Sequence, residues 1–294
     1  MSYKHFGKQA DVWKHLVLCE VLANEQPLNY IETNSACSSY SLQRTVDQQY
    51  GIYNFIDKAP NYPDLSKSKY FELESVAMNE GRYLGSPGLA MAILGLTSQK
   101  LVFFDIEVAP LTDIVKFAKR HQLHKNVEVI SQDSVIGVLH LLPNLPKSTI
   151  IHIDPYFIDK PSANGCNYMD LFIHATVLGL KCVLWYGFNT LKEKKQINDF
   201  ITANLKDCKV DNVSCIELIM SIIQKDTISC NPGILGSGLL TSNLSTESTD
   251  IMNNYSEQLI DLYKEAKYNT YDGSLYREII KVKDTVLVPK KPCR

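Results

Sequence analysis

The chain has 294 residues, 45% hydrophobic and 21% charged, enough for one large domain or a domain carrying an insertion. Its formal charge of −2 excludes the bulk field of a strongly basic nucleic-acid binder, so any polyanion would have to be met by local basic patches. The eight Cys are scattered, with no C-x-x-C pair and no metal-type spacing; the N-terminus lacks a signal-peptide core and no apolar run could span a bilayer. A soluble protein of a reducing cytoplasm, with no bound metal, is the expectation.

Helical periodicity comes first, over 8–23. "LNYIETN" (28–34) is the first strand. About seventy residues then precede the second strand, far more than a crossover needs. Within them, 40–84 are polar, Tyr-rich and apolar at helical spacing, which predicts a small inserted subdomain. "LVFFDIE" (101–107), "VEVISQD" (127–133), "TIIHIDP" (149–155) and "KCVLWYG" (181–187) are continuous apolar runs, the pattern of parallel strands buried on both faces. Helical patterns at 110–122, 168–179 and 190–204 alternate with them. Two last runs, 213–220 and 236–243, predict a hairpin closing one sheet edge. The sum is an α/β fold: a doubly wound, mostly parallel sheet of seven strands, formed by 1–39 and 86–294, with a helical insertion at 40–85.

Open α/β sheets bind ligands beyond the carboxyl ends of their strands. Asp154 ends a strand there, followed by Pro155, Tyr156 and Phe157. The exocyclic amine of adenine or cytosine is a poor nucleophile, because its lone pair is delocalised into the ring. A carboxylate and a neighbouring main-chain carbonyl, each accepting one amine N–H, would draw the nitrogen toward a tetrahedral, nucleophilic form. Pro155 fixes its own φ and removes a competing N–H. An aromatic beside it can stack on a flipped base. Asp-Pro is also a common strand terminator, and residue types alone leave both readings open.

The order of several segments resembles that of the bacterial large-subunit ribosomal RNA adenine-N6 methyltransferases of the RlmJ type. The resemblance is carried by "GKQADVWKH", "YIETNSACSSYSL", "YLGSPGLAMAIL", "IHIDPYF", "VLWYG" and "IEL…GSGLLTSN", and spans most of the chain. It implies a class I methyltransferase sheet using S-adenosylmethionine. It further implies that Lys14 and His15 stand beside substrate and cofactor, and that Asn34 and Ser86 contact the cofactor. Glu107 would hold its ribose hydroxyls, with Asp105 as a rival. Asp133 and Ser134 would flank its adenine, and Tyr3 would touch RNA. Each has a plainer reading: a solvated helical face for Lys14 and His15, a Ser-Pro turn for Ser86, an N-cap for Asp133.

Two departures stand out. The family's Asp-Pro-Pro-Tyr is here Asp154-Pro155-Tyr156-Phe157, which adds bulk at the pocket mouth. Its Thr-His-Ala-Gly-Ala-Gly is here Thr33-Asn34-Ser35-Ala36-Cys37-Ser38, without either glycine. A non-Gly residue held in the left-handed region costs about 1–2 kcal/mol, enough to weaken cofactor binding about tenfold or more. Basic runs at 116–125 and 192–195 fit solvated helix faces, and Lys4, His5 and Lys8 could meet phosphates. The Pro/Ser/Gly-rich loop after Phe157 could act as a lid.

The expectation is therefore a cytoplasmic, monomeric enzyme that methylates adenine N6 in large-subunit ribosomal RNA, away from any membrane. Asp154, Pro155 and Lys14 would be catalytic, and Tyr156, Phe157 and Tyr3 would contact substrate. A non-catalytic nucleic-acid or nucleotide-binding relative, and methylation or handling of DNA, are the alternatives.

Overall fold

Four of the five continuous apolar runs become buried parallel strands in this computed structural model, which describes residues 6–206, 208, 212–224 and 234–281, whereas the run at 127–131 is a half-exposed parallel strand at the sheet edge. The strands are β1 (Asn29–Thr33), β2 (Ser39–Ser41), β3 (Arg82–Leu84), β4 (Lys100–Asp105), β5 (Val127–Ser131) and β6 (Ile150–Ile153). They continue with β7 (Lys181–Phe188), β8 (Val213–Met220), β9 (Gly236–Ser242), β10 (Lys267–Tyr268), β11 (Tyr271–Asp272) and β12 (Leu275–Ile279). Eight of them form one sheet in the order β12-β8-β9-β7-β6-β1-β4-β5. The five from β5 to β7 run parallel, while β9 lies antiparallel between β7 and β8. β6 is buried along its whole length, so both faces must be covered by helices. This is the class I methyltransferase arrangement, with β12 added.

The helices are α1 (Gln9–Glu25), α2 (Val46–Gln48), α3 (Asn54–Lys58), α4 (Pro63–Lys67), α5 (Lys69–Asn79) and α6 (Ser86–Leu94). Those after the second sheet strand are α7 (Val108–Arg120), α8 (Ser134–Leu141), α9 (Tyr168–Val177), α10 (Leu191–Leu205) and α11 (Thr246–Leu262). Their starts are written locally. Pro87 opens α6, where its fixed φ suits the first turn. The side chains of Asp133, Thr190 and Ser245 cap α8, α10 and α11. Asn167 and Asp170 form a reciprocal capping box on α9.

Two expectations need correction. The sheet has eight strands rather than seven, and the expected hairpin does not close its edge. β9 enters the interior between β7 and β8, and β12 pairs antiparallel with β8 to become the edge. β12 is only half-buried, with polar residues at Arg277 and Glu278, so it lacks the continuous apolar signal of an inner strand. The helix α11, amphipathic over 246–262, also precedes it without having been anticipated.

Between β1 and β4 the chain leaves the sheet through an antiparallel ribbon, β2 with β3, that brackets α2 to α5. Ile52, Phe55, Leu65 and Tyr70 of this excursion are fully buried in the same apolar cluster as Leu16 and Leu22 of α1. Cys19, Cys37, Cys182 and Cys215 are free thiols, whereas Cys166 is disulfide-bonded, which the scattered spacing gave no sign of. Among the described residues no helix is long and apolar enough to cross a membrane.

Candidate active site

At the carboxyl edge of the sheet Thr33 of β1 sits opposite Ile153 of β6. From here β1 leads toward β4 and β6 toward β7, so the crevice opens at the point where the winding reverses. Asp154 stands on that lip, its backbone N–H donating to Thr33 Oγ1 at 3.1 Å. Lys14 Nζ donates to Asp154 Oδ2 at 2.7 Å, and Asp11 Oδ1 lies 3.6 Å from the same ammonium. The Trp185 ring lies 5.0 Å from Lys14 Nζ, within cation–π range. Oδ1 of Asp154 has no protein partner among the described residues.

α1 makes this possible. Asp11, Lys14 and His15 fall at helical spacing on one face, and Lys14 and His15 are only 7% and 3% exposed, so the solvated-face alternative is set aside. Burial opposes the Lys14 charge, but Asp154 and Asp11 outweigh it and hold the pKa above its ordinary value. Burial raises the Asp11 carboxyl despite the nearby Lys14. His15 Nδ1 pairs with the Tyr83 hydroxyl at 2.8 Å. Burial first, then the charge of Lys14, pushes His15 well below its ordinary pKa, so the imidazole is neutral. Its Nε2 is buried without a partner.

A second layer lies beneath. Glu32 on β1 is fully buried; one oxygen accepts from Ser86 Oγ and the other from Tyr30 Oη at 2.8 Å. Tyr30 Oη is also 3.2 Å from His152 Nδ1. Above these groups opens a cavity of about 530 Å³ lined by Lys14, His15, Ser86, Asp154, Pro155 and Tyr156.

The glycine-free loop after β1 takes the left-handed conformation at two positions. Asn34 and Ala36 take φ of 54° and 53°. Asn tolerates this region; Ala does not gain from it. The N–H groups of residues 35 to 38 are all consumed by protein acceptors: Phe104 O at 2.9 Å, Asp105 Oδ2 at 3.0 Å, Tyr40 Oη at 3.0 Å and Asp113 Oδ2 at 2.8 Å. Close backbone approach is supplied instead by α6. A Cβ at Gly85 would stand 2.1 Å from Cys37 O, and one at Gly88 2.2 Å from Ser38 O.

The remaining anticipated residues are not all gathered into the cavity. Asn34 Oδ1 accepts from Ser134 Oγ at 3.3 Å, and Ser134 Oγ lies 3.2 Å from Tyr168 Oη. Asp133 caps α8 through Ile136 N and accepts from Ser162 Oγ at 3.0 Å, so the N-cap role is realised. Glu107 begins α7 away from the cavity lining; Asp105, its rival, is the strand-end carboxylate that meets the loop. Phe157 does not line the Asp154 cavity but an adjoining one. Tyr3, Lys4 and His5 lie outside the described residues. Asp11, Glu32 and Trp185 were missed. A carboxylate inside the apolar run "NYIET" and a Trp at the end of "VLW" were the available signals. Among the described residues no group of three or more His, Cys, Asp or Glu could hold a metal.

No protein-family model matches the sequence, and no curated protein matches it. Among solved structures the chain is similar to protein LPL1258 from Legionella pneumophila, assigned to family model DUF519. The two are 23% identical over 94% of this chain and 97% of that one, with a TM-score of 0.72. It is more distantly similar to an O-methyltransferase from Bacillus cereus in complex with SAH, 12% identical over 82% of this chain and 84% of that one, TM-score 0.42. A rRNA methylase from Streptococcus thermophilus is 12% identical over 78% and 95% of the two chains, TM-score 0.36. The Legionella likeness extends the shared fold over nearly the whole chain.

Proposed function

We propose that the protein transfers the methyl group of S-adenosylmethionine to the exocyclic N6 amine of an adenine in RNA, with large-subunit ribosomal RNA as the substrate class. The observation that carries this is the open Oδ1 of Asp154 at the sheet's switch point, beside a main-chain carbonyl that Pro155 holds in place. The cavity suits a sulfonium at its methionine end. Asp154 and Asp11 bring carboxylates to its lining, with Glu32 buried beneath Ser86, and the unpaired His15 Nε2 and the Ser86 hydroxyl offer polar contacts. Helices α2 to α5, residues 40–85 in our division of the chain, would form a subdomain flanking this mouth.

When bound, S-adenosylmethionine supplies an electrophilic methyl group on sulfur. Asp154 Oδ1 and the Pro155 carbonyl accept the two amine N–H bonds, rehybridising the nitrogen toward the donor. Lys14 fixes the Asp154 carboxylate through Oδ2. The cofactor would supply the methyl carbon to the amine nitrogen held by Asp154 and Pro155, its sulfur leaving with the electron pair of the carbon–sulfur bond. The surplus proton on nitrogen passes to Asp154 and then to water. Tyr156 and Trp185, which both line the cavity, hold the base plane. Positioning and electrostatics supply the acceleration.

A second reading is favoured by one observation. The saturated N–H groups and left-handed Ala36 of the β1 loop offer the cofactor fewer contacts than a glycine loop would, as in a nucleic-acid-binding relative that no longer transfers methyl groups. Calorimetry with S-adenosylhomocysteine separates the two, since the enzyme must release heat at millimolar ligand. Tritiated methyl transfer onto undermodified ribosomal RNA and onto DNA then decides the substrate; label on DNA alone overturns the RNA assignment.

A further inference from the structure

A second cavity, about 370 Å³, opens beside the first. Its walls are the carboxyl end of β7, one face of α10 and the segment after Pro155, and it shares Tyr156, Trp185 and Ile234 with the Asp154 cavity. Tyr156 is 76% exposed, stands between the two cavities, and meets Phe157 nearly at right angles, 87° with centroids 4.5 Å apart. Phe157, itself 57% exposed, faces only the second cavity. Trp185 is 93% buried by complement of its 7% exposure, yet its Nε1 donor has no partner. The exposed side chains of Asn189 and Gln196 lie at the rim.

Large exposed rings are costly unless something covers them. Base-modifying enzymes must separate their target from its stacked neighbour, and the neighbour then loses its own partner. Two adjoining pockets divided by one protruding ring fit that need. Among the described residues no Lys or Arg lines the second cavity, while Asp159 and Glu193 do, so it suits an uncharged base rather than a phosphate. Amide side chains at the rim can read a base edge.

Resting on the adenine-methylation reading, we propose that Tyr156 is a wedge between two unstacked bases: the target adenine enters the Asp154 cavity, and the adjacent nucleobase of the same strand enters the cavity between β7 and α10, stacking on Phe157.

The test uses the full chain and a fluorescently labelled, unstructured RNA nonamer with one adenine among uridines. Two partner nonamers carry an abasic residue immediately 5′ or 3′ of that adenine. In anisotropy titrations at fixed salt, one abasic nonamer should bind about tenfold more weakly than the intact RNA, the worth of one stacked base. In the double variant N189A/Q196A, both changes being on the exposed rim, that discrimination should shrink while the abasic RNA binds as it does to the wild type. Tyr156→Ala should weaken the intact RNA more than the abasic one. Equal binding of all three RNAs by the wild type, or a uniform loss in the double variant, overturns the proposal. Calorimetry with S-adenosylhomocysteine in parallel reports on the methyltransferase reading separately: a silent cofactor with intact base discrimination would sink that reading and leave the two pockets standing.

Discussion

At Asp154 one carboxylate does two jobs: Oδ2 holds Lys14 and Oδ1 is left open. Asp154→Asn keeps the shape but replaces an acceptor-only group by one that donates. Methyl transfer should fall about 100-fold or more, measured with labelled donor, while S-adenosylhomocysteine affinity changes far less. Ala36 poses a separate residue-scale question. Its φ of 53° costs about 1–2 kcal/mol, against about 0.5–1 kcal/mol of added backbone entropy for a glycine. Ala36→Gly should therefore raise stability by up to about 1 kcal/mol in urea titrations and tighten cofactor binding. His15 gives a pH signature. Its folded pKa is depressed, so the unfolded chain binds the extra proton. The stability its neutral form contributes is present above the ordinary histidine pKa and is lost as pH falls below it. Glu74, raised well above its ordinary value by burial, works in the opposite direction at acid pH. The comparison must therefore be between proteins: His15→Gln should lose less stability than the wild type between neutral and mildly acid pH.

Among elements, α6 and the loop after β1 behave as one unit. Gly85 and Gly88 let the helix start touch the loop's carbonyls, the close approach that a glycine-rich first loop ordinarily offers its ligand. Gly88→Ala would drive a methyl group into Ser38 O. A loss of about 2 kcal/mol or more is expected, read from the urea midpoint, with the cofactor site disturbed as well. The buried Glu74 of α5 accepts from Leu84 N through both oxygens at 3.2 Å, tying the inserted helices to the ribbon that closes them. α10 uses its lysines in two ways. Lys194 pairs inward with Glu217 at 3.2 Å and Glu278 at 2.7 Å, whereas Lys195 meets Asp199 on the surface. The basic run there is thus partly structural, which charge counting alone does not reveal.

For the whole molecule, winding decides which charges can matter. α7 starts at the carboxyl edge beside Asp105 and ends just before β5, so the exposed Lys116, Lys119 and Lys125 fall at the opposite edge from the Asp154 cavity. Neutralising all three should leave RNA affinity at fixed salt within about twofold, since each exposed charge is screened beyond about 10 Å. The inserted helices share the apolar cluster of α1, so far-UV and tyrosine signals should report one coincident unfolding transition. An early, separate loss of helix would show the insertion folding alone.

Local pattern alone determined much. Continuous apolar runs marked the parallel strands because burial between helices demands them, and Asp-Pro at a run's end marked the carboxyl lip of the sheet. Edge strand β12 escaped because a half-buried strand carries half the signal. Only the tertiary structure decided that Lys14 meets Asp154 across 140 positions of chain, that Asp133 serves its helix, and that Phe157 faces a different cavity from Asp154. The physical reason is reach. Periodicity and capping act within a few residues, whereas a buried ion pair or a shared pocket wall depends on how the sheet is wound and which ends it brings together.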